Sequence, residues 1–143
     1  MMRTLALVWL LGFGIASGAA AQAPLSTAAG AKVYEMRTYY AAPGKLEALH
    51  ARFRNHTIEI FKKHGMGVLA FWVPVDQTTG AATGNTLVYI LSYPSLDARK
   101  QAWDEFGKDP EWVAVKTESE KEGKLVDKVD SVFLAPTDYS PIK

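Results

Sequence analysis

Two stretches, "MGVLAFWVPV" (Met66–Val75) and "TLVYILSY" (Thr86–Tyr93), are short, almost wholly apolar and hydrophobic on both sides. Pro74 interrupts the first; Asn85 and Pro94 bound the second. The segment between them, "DQTTGAATGN", has the composition of a turn or loop, so the pair reads as a hairpin with a long connection. In extended backbone Val68, Ala70 and Trp72 point one way and Leu69, Phe71 and Val73 the other; Leu87, Tyr89 and Leu91 oppose Val88 and Ile90. A sheet made of such strands needs apolar cover on both faces.

The rest of the chain supplies cover for one face. Val33–Tyr40 alternates and is rich in tyrosine, which predicts a first strand, broken by "AAPG" (Ala41–Gly44). From Lys45 to His64 the apolar positions Leu46, Leu49, Phe53, Ile60 and Phe61, with Thr57 beside them, have helical spacing, and Gly65 ends the run as a C′ residue. Ser95 is placed to cap a helix running to about Gly107 that buries Leu96, Trp103 and Phe106. Asp109-Pro110 starts a second short helix carrying Trp112, Val113 and Val115, which frays through "ESEKEG". A last strand spans about Lys128–Leu134.

The order strand, helix, strand, strand, helix, strand is the split βαβ, ferredoxin-like pattern: an α+β fold, βαββαβ, with a four-stranded antiparallel sheet and helices on one face. The open face is expected to be closed by a second copy, two sheets packing as a dimeric α+β barrel.

The ends and the charge narrow the setting. "MMRTLALVWLLGFGIASGAAAQA" has Arg3, an apolar run from Leu5 to about Ile15, then Ala19-x-Ala21, the layout of a secretory signal peptide. The expected division is a signal peptide over 1–21, a flexible linker over 22–31 and one domain over 32–143. Cleavage after Ala21 is favoured over cleavage after Ala23, which would place Pro24 next to the scissile bond. The apolar run is short for a membrane span, so the mature protein is expected to be exported, periplasmic or secreted, with no stable membrane anchor. The chain has 16 Lys+Arg and 15 Asp+Glu; loss of Arg3 makes the two equal. Near-neutrality argues against binding nucleic acid by charge. With no cysteine, structural disulfides, thiolate catalysis and thiolate-held metals are excluded.

"VYEMRTYY" sets Glu35 and Arg37 on one side of the first strand. Tyr34, Met36, Thr38 and Tyr40 are expected to face the helices, and Val33, Glu35, Arg37 and Tyr39 the barrel interior. Two readings stay open. The pair ties neighbouring strands or subunits together, or it marks a ligand site in which Arg37 meets an anion and Glu35 acts as a base. On a helical wheel His64 falls near the centre of the apolar stripe, His56 on its flank and His50 on the opposite margin. No two are spaced as helical metal ligands, and no metal is expected. His56, beside Thr57, could approach the sheet edge. Trp72, Trp103 and Trp112 read first as core and interface residues. With no Gly-rich phosphate loop and no haem-ligand motif, no cofactor is expected. The candidate ligand-binding set is Glu35, Arg37, Tyr39, His56, Trp72 and Tyr89; no catalytic set follows from the residues.

"YEMRTYYAAPGKLEALHARF", the "HT" and "FKKHGM" of the first helix, "GVLAFW", "LVYILSYPSLDARKQAWDEFGKDPEW" and the closing "LAPTDYSP" together resemble the NIPSNAP family over nearly all of Val33–Pro141. The resemblance implies membership of the dimeric α+β barrel superfamily, which also includes small monooxygenases and haem-degrading enzymes. It carries no agreed catalytic residues onto this chain. Two function classes follow. One is an exported homodimer that binds a small molecule or a protein partner. The other, by fold analogy alone, is a small cofactor-independent monooxygenase.

Overall fold

A computed structural model describes residues 32–142; the expected signal peptide and linker lie outside them. The elements are β1 (Val33–Ala41), α1 (Leu46–Arg52), a π-helical turn (Phe53–Thr57), α2 (Ile58–Lys63), β2 (Gly67–Trp72), β3 (Thr86–Tyr93), α3 (Leu96–Lys108), α4 (Pro110–Ser119) and β4 (Val126–Leu134). The strands form one sheet in the order β2-β3-β1-β4, every neighbouring pair antiparallel. This is the α+β, ferredoxin-like arrangement that the order of elements implied.

Local chemistry sets the boundaries. Ser95 caps α3, its Oγ accepting from the Ala98 N–H at 3.0 Å. Asp109 caps α4, accepting from the Glu111 N–H at 2.8 Å, with Pro110 in the first turn. Gly65, at φ 72°, closes α2 in a Schellman motif: Met66 N–H donates to the Phe61 carbonyl and Gly65 N–H to that of Lys62, each at 3.0 Å. Met66 is buried beneath that turn.

The faces depart from expectation in four places. First, Glu35, Arg37 and Tyr39 stand opposite Leu91, Tyr89 and Leu87 in register, the buried row of β3, and so lie on the helix side of the sheet. Met36, Thr38 and Tyr40 face away. Both rows of β1 mix polar and tyrosine residues, so alternation alone does not orient them; α3 decides, through side chains that reach Glu35. Second, a bulge between Val68 and Ala70 resets the phase of β2, so Val68 and Phe71 pack on the core while Ala70 and Trp72 sit opposite Ile90 and Val88 on the outer face. Third, Leu96 is 57 % exposed because it is the first residue of α3. Fourth, the π-helical turn breaks the single helical wheel. Thr57 is turned inward as expected, its hydroxyl donating to the Arg52 carbonyl at 3.2 Å, but His56 is exposed.

The core lies between sheet and helices. Leu49, Phe53, Ile60 and Phe61 pack with Leu87, Tyr89 and Leu91 of β3 and Phe106 of α3. Rings meet mostly edge-on or tilted, Phe61 to Phe106 at 5.0 Å and Tyr39 to Tyr89 at 5.2 Å between centroids. Past β4 the chain turns back beside the outer face, where Ala135, Pro136 and Ile142 bound a hollow with Tyr34, Leu69 and Ile90.

Candidate functional site

Glu35 is fully buried, at 0 % exposure, and is the centre of a polar cluster between sheet and α3. Its Oε1 accepts from Arg37 Nη1 at 2.7 Å, Arg99 Nη2 at 2.8 Å and Ser131 Oγ at 2.6 Å. Its Oε2 accepts from Arg99 Nε at 3.0 Å, Tyr93 Oη at 3.0 Å and Trp103 Nε1 at 3.2 Å. The donors come from β1, β3, α3 and β4, so one carboxylate fastens four elements. Burial alone would raise its pKa; the hydrogen bonds from Arg99 and Ser131 and the Arg37 charge outweigh it and bring the group down to about 2. A carboxylate that accepts from six sites and holds its proton so weakly is a counter-ion with no lone pair left for a substrate.

Arg37 lies with its guanidinium 4.3 Å from the Trp103 ring centroid and 5.5 Å from that of Tyr39. Arg37 Nε and Tyr89 Oη are both buried without a hydrogen-bond partner. Burial pushes the Tyr89 hydroxyl well above the usual phenol range, with Tyr39 adding to the rise and Arg37 opposing it. Two guanidinium groups thus share one carboxylate, which leaves the cluster with an excess positive charge.

Tyr39 and Trp103 also line a cavity of about 460 Å³ between helices and sheet. Its walls hold six aromatic rings, Tyr39, Phe53, Phe61, Trp103, Phe106 and Trp112. Arg52 also lines it, its side chain 4 % exposed, with Nη1 donating to Glu120 Oε1 at 2.9 Å and Ser119 Oγ at 3.3 Å. A second hollow, of about 510 Å³, lies between α1 and α4 and includes Ala48, Ala51, His56 and Ala114. Its lining mixes alanines and Val115 with polar and charged side chains and holds no ring but that of His56, so the aromatic cavity is the better site for an apolar ligand despite its smaller volume.

Of the sequence-derived candidates, Glu35, Arg37, Tyr39 and Tyr89 come together on the helix side. Trp72 is 48 % exposed on the outer face, and His56 is exposed beside the hollow between the first helix and α4. His64 Nε2 sits 2.7 Å from Asp109 Oδ2 and ties the end of α2 to the start of α4. Sequence reasoning missed Arg99 and Trp103, whose four-residue spacing on α3 was the available signal, and Arg52, a charged residue beside Phe53 and three positions after Leu49 in an apolar stripe. Among the described residues no group of three or more His, Cys, Asp or Glu is placed to hold a metal ion. None of their helices is long and apolar enough to cross a membrane.

Comparisons with known proteins give a family and a fold. The NIPSNAP family model matches residues 34–141. A NIPSNAP family protein of unknown function from Agrobacterium tumefaciens is 23 % identical, with a TM-score of 0.64 over 80 % of this chain and 96 % of that one. An uncharacterized NIPSNAP domain protein from Burkholderia xenovorans is 22 % identical, with a TM-score of 0.62 over 76 % and 98 %. A NIPSNAP-like domain protein from the same organism is 18 % identical, with a TM-score of 0.66 over 78 % and 90 %. No curated protein matches the chain.

Proposed function

The chain belongs to the NIPSNAP family, and from that premise we propose that it is an exported homodimer that holds a small, largely apolar molecule between the helices and sheet of each subunit. The observation that carries this reading is the cavity of about 460 Å³ walled by six aromatic rings, a size and lining suited to a small ligand. The enzymic alternative, a small cofactor-independent monooxygenase, calls for a base beside the substrate; Glu35, saturated by its donors, does not supply one.

Gly107 gives a direct test. It borders the cavity, and a Cβ added there meets nothing within 4 Å, so a larger side chain is accommodated at the cavity's edge without moving the backbone. The neutral dye N-phenyl-1-naphthylamine is expected to bind the wild type saturably, one per chain, with a rise in fluorescence. Gly107→Phe should abolish that rise while melting no lower. Equal binding by the two proteins would move the ligand site elsewhere.

Two further parts of the reading rest on other features. The Leu5–Ile15 run and Ala19-x-Ala21 support export, to the periplasm or beyond the cell. N-terminal sequencing of exported protein should begin at Gln22; an intact Met1 in a soluble cytosolic pool contradicts this. The outer face of the sheet, with Leu69, Trp72 and Val132 each more than two-fifths exposed, supports pairing with a second copy.

A further inference from the structure

A cavity walled by aromatic rings commonly receives organic cations, because ring faces are negative and a quaternary ammonium group can settle against several at once. In this cavity the reachable rings already have cations of their own. Of the six, Phe53, Phe61 and Phe106 are buried, while Tyr39, Trp103 and Trp112 are partly exposed. Each of these three carries a guanidinium. That of Arg37 lies 4.3 Å from the Trp103 centroid and 5.5 Å from that of Tyr39; that of Arg52 lies 5.2 Å from the Trp112 centroid. Both guanidinium groups belong to clusters in which two cations share one carboxylate. Arg37 and Arg99 share Glu35. Arg52 and Lys116 share Glu120, at 2.9 Å and 2.6 Å.

Each cluster therefore keeps a net positive charge beside a ring of the cavity. A further cation brought to those rings meets repulsion in a place that water screens poorly. A carboxylate gains little in exchange. Arg37 Nη1 is engaged by Glu35 and Arg52 Nη1 by Glu120 and Ser119, and the Nε of each is buried. The lysines of the lining, Lys116, Lys124 and Lys128, have Glu120, Asp127 and Asp130 as partners. An anion would shed water for donors already in use. Deepening the ligand reading above, on which this step rests, we infer that the guanidinium groups on its rings set the charge class of the ligand: the cavity rejects organic cations and holds an uncharged molecule.

The test titrates one aromatic body in three charge states into the wild type by isothermal titration: 2-naphthylmethanol, 2-naphthoate and (2-naphthylmethyl)trimethylammonium. The alcohol is expected to bind about ten-fold or more tighter than either ion. An ion of either sign is costly to dry, so the variants carry the decision. In Arg52→Met, where Lys116 still neutralises Glu120, the affinity of the ammonium relative to the alcohol should rise about ten-fold, and in Lys116→Met about three-fold. Lys116 is exposed, so its replacement keeps the fold and the test stands should Arg52→Met not fold. An unchanged ratio in Arg52→Met, or in Lys116→Met if the first does not fold, would overturn the inference and leave the cavity reading in place. So would a wild type that binds either ion as tightly as the alcohol. No binding by any of the three compounds would overturn both.

Discussion

Glu35→Gln is expected to destabilise the protein by about 3–5 kcal/mol, the usual cost of removing one partner from a buried ion cluster. The amide keeps one acceptor oxygen but turns an NH₂ group toward donors, and it leaves Arg37 and Arg99 without their shared counter-ion. A domain of this size has about 5–15 kcal/mol of stability in all, so much of it would go. Arg37→Met should cost less, since Arg99 still neutralises Glu35, and the two changes should be strongly non-additive in denaturant unfolding. Acid gives an independent check. The folded carboxyl lies near 2 against an ordinary 4.5. A depressed folded value means that the contribution, about 3 kcal/mol, is fully present above 4.5 and lost as pH falls toward 2. Glu35→Gln should lack that part of the acid dependence. Additive effects under about 0.5 kcal/mol each would reduce the cluster to ordinary surface charge.

If the proposed dimer forms, Val88→Glu is expected to turn it into a monomer. Val88 lies on the outer face between Thr38 of β1 and Trp72 of β2, in the middle of the sheet. In a barrel closed by two such faces its methyl groups meet the partner, and an unpaired carboxylate there costs several kcal/mol, more than a hundred-fold in dimer affinity. Light scattering at micromolar concentration should give twice the mature mass for the wild type and the single mass for the variant, with unchanged circular dichroism. A soluble wild-type monomer would remove the barrel.

The elements of the fold were legible because their signals are local. Ser95 and Asp109 announce helix starts, Gly65 announces an end, and the β3 run stops at Pro94. Orientation was less legible. In β2 one extra residue at the Leu69 bulge exchanges the faces of everything after it, and nothing in "GVLAFW" marks the bulge. The π-helical turn at Phe53–Thr57 acts likewise on the first helix, moving His56 away from the sheet. The Glu35–Arg37 contact was foreseeable from their spacing, but its inward direction depends on Arg99, more than sixty residues later. The cavity was the least legible part: its rings come from β1, the first helix, α3 and α4, and each alone reads as core. Arg52 was the visible exception, a charge inside an apolar stripe that periodicity treats as noise.

The central claim, that the aromatic cavity holds a small molecule, is tested most directly by native mass spectrometry of the protein purified from the compartment in which it accumulates. The wild type should carry a small adduct, up to one per subunit, that is released on unfolding. Gly107→Phe, prepared in parallel and equally folded, should carry none. An adduct-free wild type, or the same adduct on both proteins, would contradict the account.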